Sequence, residues 1–459
     1  MKNNFVGNLK KLRSKTGLQE RFLVVEILNH VFVHQETIKN FFFVHEKELL
    51  ELKTSQIAYS NRTAKGILKR LSFVDKKIFT VIKKRPSNVI LNILRMGTLD
   101  MFIEKTPAYA SVFCAVELAK ITIKNKKSVG FVNGVLRSLE RQGDYDENLD
   151  SSFSTEKNTS DLAKYCSKVY GIKKQKEIWT SFYSEQMLDI TVRNVDEVEW
   201  WVKNLDGKRI GSSNTIRLSK IKEITKIQGY EEGSWWIQNY SATLPVLLLG
   251  NVRNKNIIDC CAAPGGKTMQ LSSLGAITTS LDRSVSRMET LKKNMIRTGL
   301  SCKVVISDIM DFSPDKLFDV VLLDAPCSST GTIRKNPEIE HLDPMTRISF
   351  FSEIQKNMLE RVKSWVKPGG KLVFSTCSIA PDEGENIISS FLVENSNYYV
   401  EKIDTDLLAL EDSLIDHIGG VRVSPDYLSE IGGVDGFYIA VLKKEYQVLP
   451  KSAKFIKPL

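Results

Sequence analysis

At 459 residues, with 42% apolar and 26% charged positions, the chain exceeds the roughly 250–300 residues that one hydrophobic core supports, so two or three folded domains are expected and disorder is not the default. The formal charge of +11 is uneven: residues 1–150 hold 26 Lys/Arg against 15 Asp/Glu, and residues 151–459 hold 39 of each. A basic segment beside a neutral body suits a polyanion such as nucleic acid, and it equally describes an ordinary solvated surface.

The first apolar stretch, FLVVEILNHVF at 22–32, is interrupted by Glu26, Asn29 and His30 and has no small-residue cleavage site after it, so it reads neither as a signal peptide nor as a span. From about 18 to 140 apolar residues recur at helical spacing, as in Ile67, Leu71, Val74 and Ile78 and again in Val112, Val116, Ala119 and Ile123; this predicts a small helical domain. RQGDYDENLDSSFSTEKNTS at 141–160 is polar, acidic and almost free of aliphatics, which predicts a linker. Residues 161–240 mix a helical stretch with the strand candidates LDITVRN and TIRLSKI, consistent with a small α/β connecting subdomain. LPVLLLG at 244–250 is far shorter than the ~20 residues that cross a bilayer. From 255 onward NIIDCCAAP, ITTSLD, KVVISD, FDVVLLDAP and KLVFSTC alternate with helical segments such as SVSRMETLKKNMIRTG and RISFFSEIQKNMLERVKSWV, the pattern of a parallel sheet covered on both faces.

Chemistry-bearing residues collect at the ends of these strands. The first ends in DCCAAPGGKT (259–268), with a helix expected from about Lys267; such a turn lets backbone N–H groups approach a ligand at the carboxyl edge of the sheet. The motif is neither GxGxxG nor a P-loop. The second strand is expected to end at Asp282 and the third at Asp308. In doubly wound folds an acid after the second strand can accept hydrogen bonds from ribose hydroxyls, and one after the third can reach an adenine amino group. Each is an ordinary strand-end cap when taken singly; the three together favour an adenosyl ligand.

The seven cysteines, Cys114, Cys166, Cys260, Cys261, Cys302, Cys327 and Cys377, are odd in number, scattered, and contain no CxxC pair, so neither a disulfide framework nor a metal site is expected. Cys114, Cys260 and Cys302 read as core residues. The fourth strand ends in DAPCSSTG (324–331) and the fifth in STCS (375–378), which brings Cys327 and Cys377 to carboxyl strand ends facing one crevice, where α/β catalytic residues gather. The residues themselves thus predict a paired-thiol crevice beside an adenosyl site.

DCCAAPGGKT, DAPCSSTG and FSTCSIAPDEGEN, in this order and spacing, resemble the RNA cytosine-5 methyltransferase superfamily of RsmB and NSUN proteins, most strongly over about 255–445, where VDGFYIAVLKK resembles the closing strand. GSWWIQNYSA (233–242) resembles the lead into the catalytic domain. NVILNILRMGTLDMFIEKTPAYASVFCAVELAK and GFVNGVLRSLER resemble the NusB-like domain of the RsmB (Sun/Fmu) branch. Two departures stand out: where the family continues into Pro-Asp-Ile-Lys-Trp this chain has NPEIEHL (336–342), without the Lys or the Trp, and Pro-Trp landmarks are missing near 160–180.

The resemblance implies a multidomain chain: an all-α NusB-like RNA-binding domain at 1–145, a small α/β connecting subdomain at 160–240, and a Rossmann-like class I methyltransferase domain at 241–459. It implies Cys377 as the thiolate that attacks carbon 6 of cytosine and Cys327 as the thiol that assists release. It assigns Asp324 to the Watson–Crick edge of the base, with Lys267 adding positive charge beside it. S-adenosylmethionine is expected on Ala262, Ala263, Pro264, Gly265, Gly266, Lys267, Asp282, Asp308 and Asp324, with no metal. The expected partner is small-subunit (16S) ribosomal RNA, the expected state a cytoplasmic monomer off the membrane. The same chemistry on transfer RNA, or a non-catalytic RNA-binding assembly factor, is the alternative. A DNA cytosine-5 methyltransferase would attack with Cys327 and have no need of Cys377.

Overall fold

The computed structural model describes residues 2–12, 17–123, 125–143, 160–219, 223–405 and 410–446. Most of the acidic run expected as a linker, 144–159, lies outside them. The chain forms two compact units, 1–183 with 333–345, and 184–332 with 346–459.

The first unit is helical, with helices at Leu18–His34, Thr54–Lys69, Leu71–Phe79, Asn88–Phe102, Ala108–Thr122 and Lys126–Arg141 among its elements. The apolar period that runs through Ile67, Leu71, Val74 and Ile78 is shared by two helices, because Arg70 (φ −111, ψ 22) breaks the run. Asn88–Phe102 is central: every residue from Leu91 to Phe102 is buried. A helix buried all round must pair its polar groups internally. Arg95 does so with Asp75 (Nε–Oδ1 2.7 Å, Nη2–Oδ2 2.6 Å), Asn92 with Asn29 (2.9 Å), and Asp100 with Arg21 (2.9 Å).

The helical stretch Asp161–Tyr183, broken at Gly171, belongs to this unit and not with the strands that follow it, a difference from the sequence-based boundary at 160. So does the segment 333–345, which carries the NPEIEHL departure. Its Glu340, 6% exposed, accepts hydrogen bonds from Trp179 Nε1 (3.0 Å), Tyr183 Oη (2.9 Å) and Ser160 Oγ (3.0 Å). Asp343 N–H donates to Gln35 Oε1 (2.9 Å), and Lys65 Nζ donates to the Lys335 carbonyl (2.7 Å). Periodicity cannot reveal this attachment, since the partners lie far apart in sequence.

The second unit holds two sheets. Strands β1 (Leu188–Val192), β2 (Lys208–Arg209), β3 (Thr215–Leu218) and β4 (Trp235–Ile237) form an antiparallel sheet in the order β2-β3-β1-β4. The larger sheet comprises β5 (Asn256–Cys260), β6 (Ile277–Asp282), β7 (Lys303–Ile306), β8 (Phe318–Asp324), β9 (Val366–Thr376), β10 (Tyr398–Val400), β11 (Val421–Val423) and β12 (Phe437–Lys444). Its order is β10-β12-β9-β8-β5-β6-β7, with β11 on β12. The strands from β9 to β7 are parallel, and β12 returns antiparallel beside β9.

Both faces are covered, which is why these strands read as unbroken apolar runs. Ile257, Val320, Leu322, Val373 and Ile439 join one core; their neighbours Ile258, Val321, Leu323, Phe374 and Ala440 join the core on the opposite face. Burying the Ile, Val, Leu and Phe side chains among these contributes about 1.5–3 kcal/mol each, and it aligns the carboxyl ends of β5, β6, β8 and β9 along one edge. A Rossmann-like sheet thus follows the helical region, as the sequence predicts.

Candidate active site

Strand β5 ends at Cys260, and the chain turns through Cys261–Gly265 into the helix Gly266–Ser273. Gly265 has φ 106, and a Cβ there would lie 3.0 Å from Leu291 Cγ, so a side chain is disfavoured on both counts. Asp282 closes β6 and is 4% exposed; its Oδ2 accepts the Ala263 N–H (3.2 Å) and its Oδ1 the Ser284 N–H (2.9 Å). Arg287 Nη1 lies 3.4 Å from Oδ2. The third strand stops at Ile306, short of the expected Asp308. Asp308 sits in the following turn, capped by its Oδ1 on the Met310 N–H (3.0 Å), with Arg283 Nη1 3.6 Å from Oδ2. Its place at the carboxyl edge is unchanged.

Lys267 and Asp324 meet. Lys267 Nζ is 2.7 Å from Asp324 Oδ2, with the lysine side chain 8% and the aspartate 33% exposed. Ser375 Oγ donates to Asp324 Oδ1 (3.0 Å), and the Phe437 ring lies 5.1 Å from Nζ, within range of a cation–π attraction. The carboxylate is therefore fixed from two sides and open on a third.

The two thiols are adjacent. Cys327 Sγ and Cys377 Sγ are 3.3 Å apart, and Ser329 Oγ lies 3.7 Å from Cys377 Sγ. Cys327 is buried and Cys377 half-buried. The Cys327 thiol is held well above its ordinary pKa, first by its hydrogen bond with Cys377, then by burial and the nearby Cys377 and Glu383. Two backbone bonds lace the loops: Gly331 N–H donates to the Cys377 carbonyl (3.0 Å), and Gly436 N–H to the Gly331 carbonyl (2.8 Å). A Cβ on Gly331 would fall 2.2 Å from the Gly436 oxygen.

Of the other cysteines, Cys261 opens the turn after β5, and the rest lie away from the thiol pair. Cys260 is in the core, Cys302 packs against a smaller apolar cluster, and Cys114 is half-buried on Ala108–Thr122. All seven are free. Beneath the crevice Asp259 is fully buried, its carboxyl pushed up to about 7 by burial against the hydrogen bond from Thr268 Oγ1 (2.6 Å).

All the site residues expected from sequence thus line one edge of one sheet. Sequence reasoning does not single out two of their neighbours. Phe437 sits inside the closing-strand motif, and Glu383 inside APDEGEN, where an acidic run at a loop reads as solvated surface. Glu383 is completely buried.

Residues 246–443 match the family model described as 16S rRNA methyltransferase RsmB/F, and residues 18–141 match that of the NusB family. The chain thus carries an RsmB/F methyltransferase domain over 246–443 and a NusB domain over 18–141. It is 28% identical to ribosomal RNA small subunit methyltransferase B of Shewanella oneidensis over 83% of this chain and 89% of that one. It is 27% identical to the probable ribosomal RNA small subunit methyltransferase B of Bacillus subtilis over 86% of this chain and 97% of that one. Among solved structures PH0851 superposes with a TM-score of 0.70 at 21% identity, covering 93% of this chain and 99% of that one, a likeness of fold.

Proposed function

We propose that this protein transfers a methyl group from S-adenosylmethionine to carbon 5 of a cytosine in small-subunit ribosomal RNA, through a covalent bond between Cys377 and the base. The observation that carries this reading is the pair of free thiols 3.3 Å apart at the carboxyl ends of β8 and β9, beside the Lys267–Asp324 pair. The names of the curated relatives support ribosomal RNA as the substrate.

The crevice fits the methyl donor. The Ala262–Gly266 turn at a helix start, buried Asp282, and Asp308 at the same edge supply backbone donors and carboxylate acceptors suited to an adenosyl group. When bound, S-adenosylmethionine supplies an electrophilic methyl group. Carbon 5 of cytosine is a poor nucleophile until a thiolate adds at carbon 6 and moves the electron pair of the double bond to carbon 5. Cys377, the more accessible sulfur, forms that bond. Burial and the contact with Cys377 raise the Cys327 thiol, which makes it the poorer standing nucleophile; once its own proton has passed to solvent, its thiolate is a strong base that takes the carbon 5 proton, and the electron pair of that C–H bond re-forms the ring double bond as Cys377 leaves. Asp324, held by Lys267 and Ser375, accepts from the 4-amino group of the flipped-out base, and from N3–H once the adduct takes up a proton at N3.

Two substitutions test the assignment. Cys377→Ala should abolish methylation and form no adduct; Cys327→Ala should accumulate a covalent protein–RNA adduct on denaturing gels. An active Cys377→Ala sinks the reading. Bisulfite sequencing of ribosomal RNA with and without the protein tests the substrate, and loss of no ribosomal mark redirects it to transfer RNA.

A further inference from the structure

Cys327 and Cys377 stand in the loops that follow β8 and β9, fifty positions apart in sequence, so their spacing depends on what joins the two loops. One side chain touches both loops beside the thiols. Glu383, completely buried, accepts the Ser328 N–H (2.8 Å) and Gln355 Nε2 (3.1 Å) on Oε1, and the Ser328 and Ser378 hydroxyls on Oε2, the latter at 2.6 Å. Gln355 Nε2 also donates to the Pro326 carbonyl (2.9 Å). Both residues flanking Cys327, and the one after Cys377, are thereby tied to a single carboxyl group.

We infer that Glu383 is the positioning residue that sets the two thiols in register; this rests on the two-cysteine reading above. Four donors converge on two oxygens in a buried setting, where hydrogen bonds to a carboxylate are short and directional. Burial pushes the carboxyl up and the hydrogen bonds from Ser328, Ser378 and Gln355 oppose that shift, so the donors are what offsets the cost of enclosing the group. Arg347 and Cys327 face the same carboxyl electrostatically. A catalytic pair held within about 0.5 Å of its working geometry depends on such supporting bonds. The Gln side chain has the same shape: its oxygen can take the Ser328 N–H and its amide can donate to hydroxyls that rotate to accept.

The test is the single-turnover rate of covalent adduct formation in the full-length Cys327→Ala protein, with 16S rRNA transcript and S-adenosylmethionine. Adding Glu383→Ala should slow the adduct at least a hundredfold with RNA and S-adenosylmethionine affinities unchanged, whereas Glu383→Gln should stay within tenfold of the parent. An unchanged rate in Glu383→Ala overturns the inference, as does a Glu383→Gln as slow as Glu383→Ala. Should Glu383→Ala fail to fold, Ser378→Ala removes one donor and leaves the carboxylate in place; it should slow the adduct about tenfold, and an unchanged rate again overturns the role. If the Cys327→Ala parent forms no adduct, it is the two-cysteine reading that falls, and this role with it.

Discussion

Each unit contains a buried glutamate on which several donors converge, and the donors differ. Glu340 in the helical unit takes two aromatic donors and a serine; Glu383 in the methyltransferase unit takes two serines, a backbone amide and a glutamine. Trp179 and Tyr183 bring large apolar areas with their polar tips, so Glu340 stabilises the docking of the 333–345 segment. Serines bring almost no area. Their value lies in where they stand, next to a sulfur. The same buried carboxylate therefore serves stability in one unit and geometry in the other.

The largest challenge to that contrast is Trp179→Ala, which should cost about 3–5 kcal/mol of stability by leaving a cavity where an indole was 1% exposed, read by denaturant unfolding. A loss of kcat in the folded fraction without a loss of stability breaks the comparison. Lys267→Met should lower methylation about 10²–10³-fold, as removal of a preorganised charge does, with the unfolding midpoint little changed. A midpoint shift as large as that of Trp179→Ala would make the pair structural.

A smaller effect is pH-dependent. The Asp259 carboxyl has a pKa raised from 3.8 to about 7 in the fold. Its unfolded form ionises first, so stability is full below the ordinary value, falls as pH rises toward 7, and is flat above. Between pH 5 and 7 the loss is about 2 kcal/mol, and Asp259→Asn should remove that slope in unfolding curves. Glu26, also pushed up to about 7 by burial, gives the helical unit a slope of the same sign, which Glu26→Gln should remove. Smallest is Glu340→Gln, which keeps an acceptor for the indole while its amide can donate to the Tyr183 phenol oxygen in a reversed bond, and should cost about 1 kcal/mol; methylation should stay at the parental rate.

The parallel strands of the methyltransferase sheet were legible because each is an apolar, largely β-branched run closed by a polar motif, and the site was legible because those motifs fall at strand ends; β10 and β11, three residues each, carry no such run. Asp308 was expected at the end of a strand that stops at Ile306, an error too small to move it from the edge. The helical periodicity was equally plain, although Arg70 divides what the spacing joined. Two features escaped for a shared reason. Neither the capture of 333–345 by the helical unit nor the bridging by Glu383 leaves a local pattern: each depends on partners brought together by the fold, and an acid within a loop carries no mark of being enclosed.

The discontinuity of the helical unit bears on how the chain is made. Although residues 1–183 are synthesised first, the unit is complete only with 333–345, and Glu340 has to reach Trp179 and Tyr183. Domains ordinarily fold as they leave the ribosome, the N-terminal one first. Here the 333–345 segment can join the leading unit only after strands β1 to β8 and the Cys327 loop have been translated, so the closing contacts of that unit follow synthesis of half of the strands of the methyltransferase sheet.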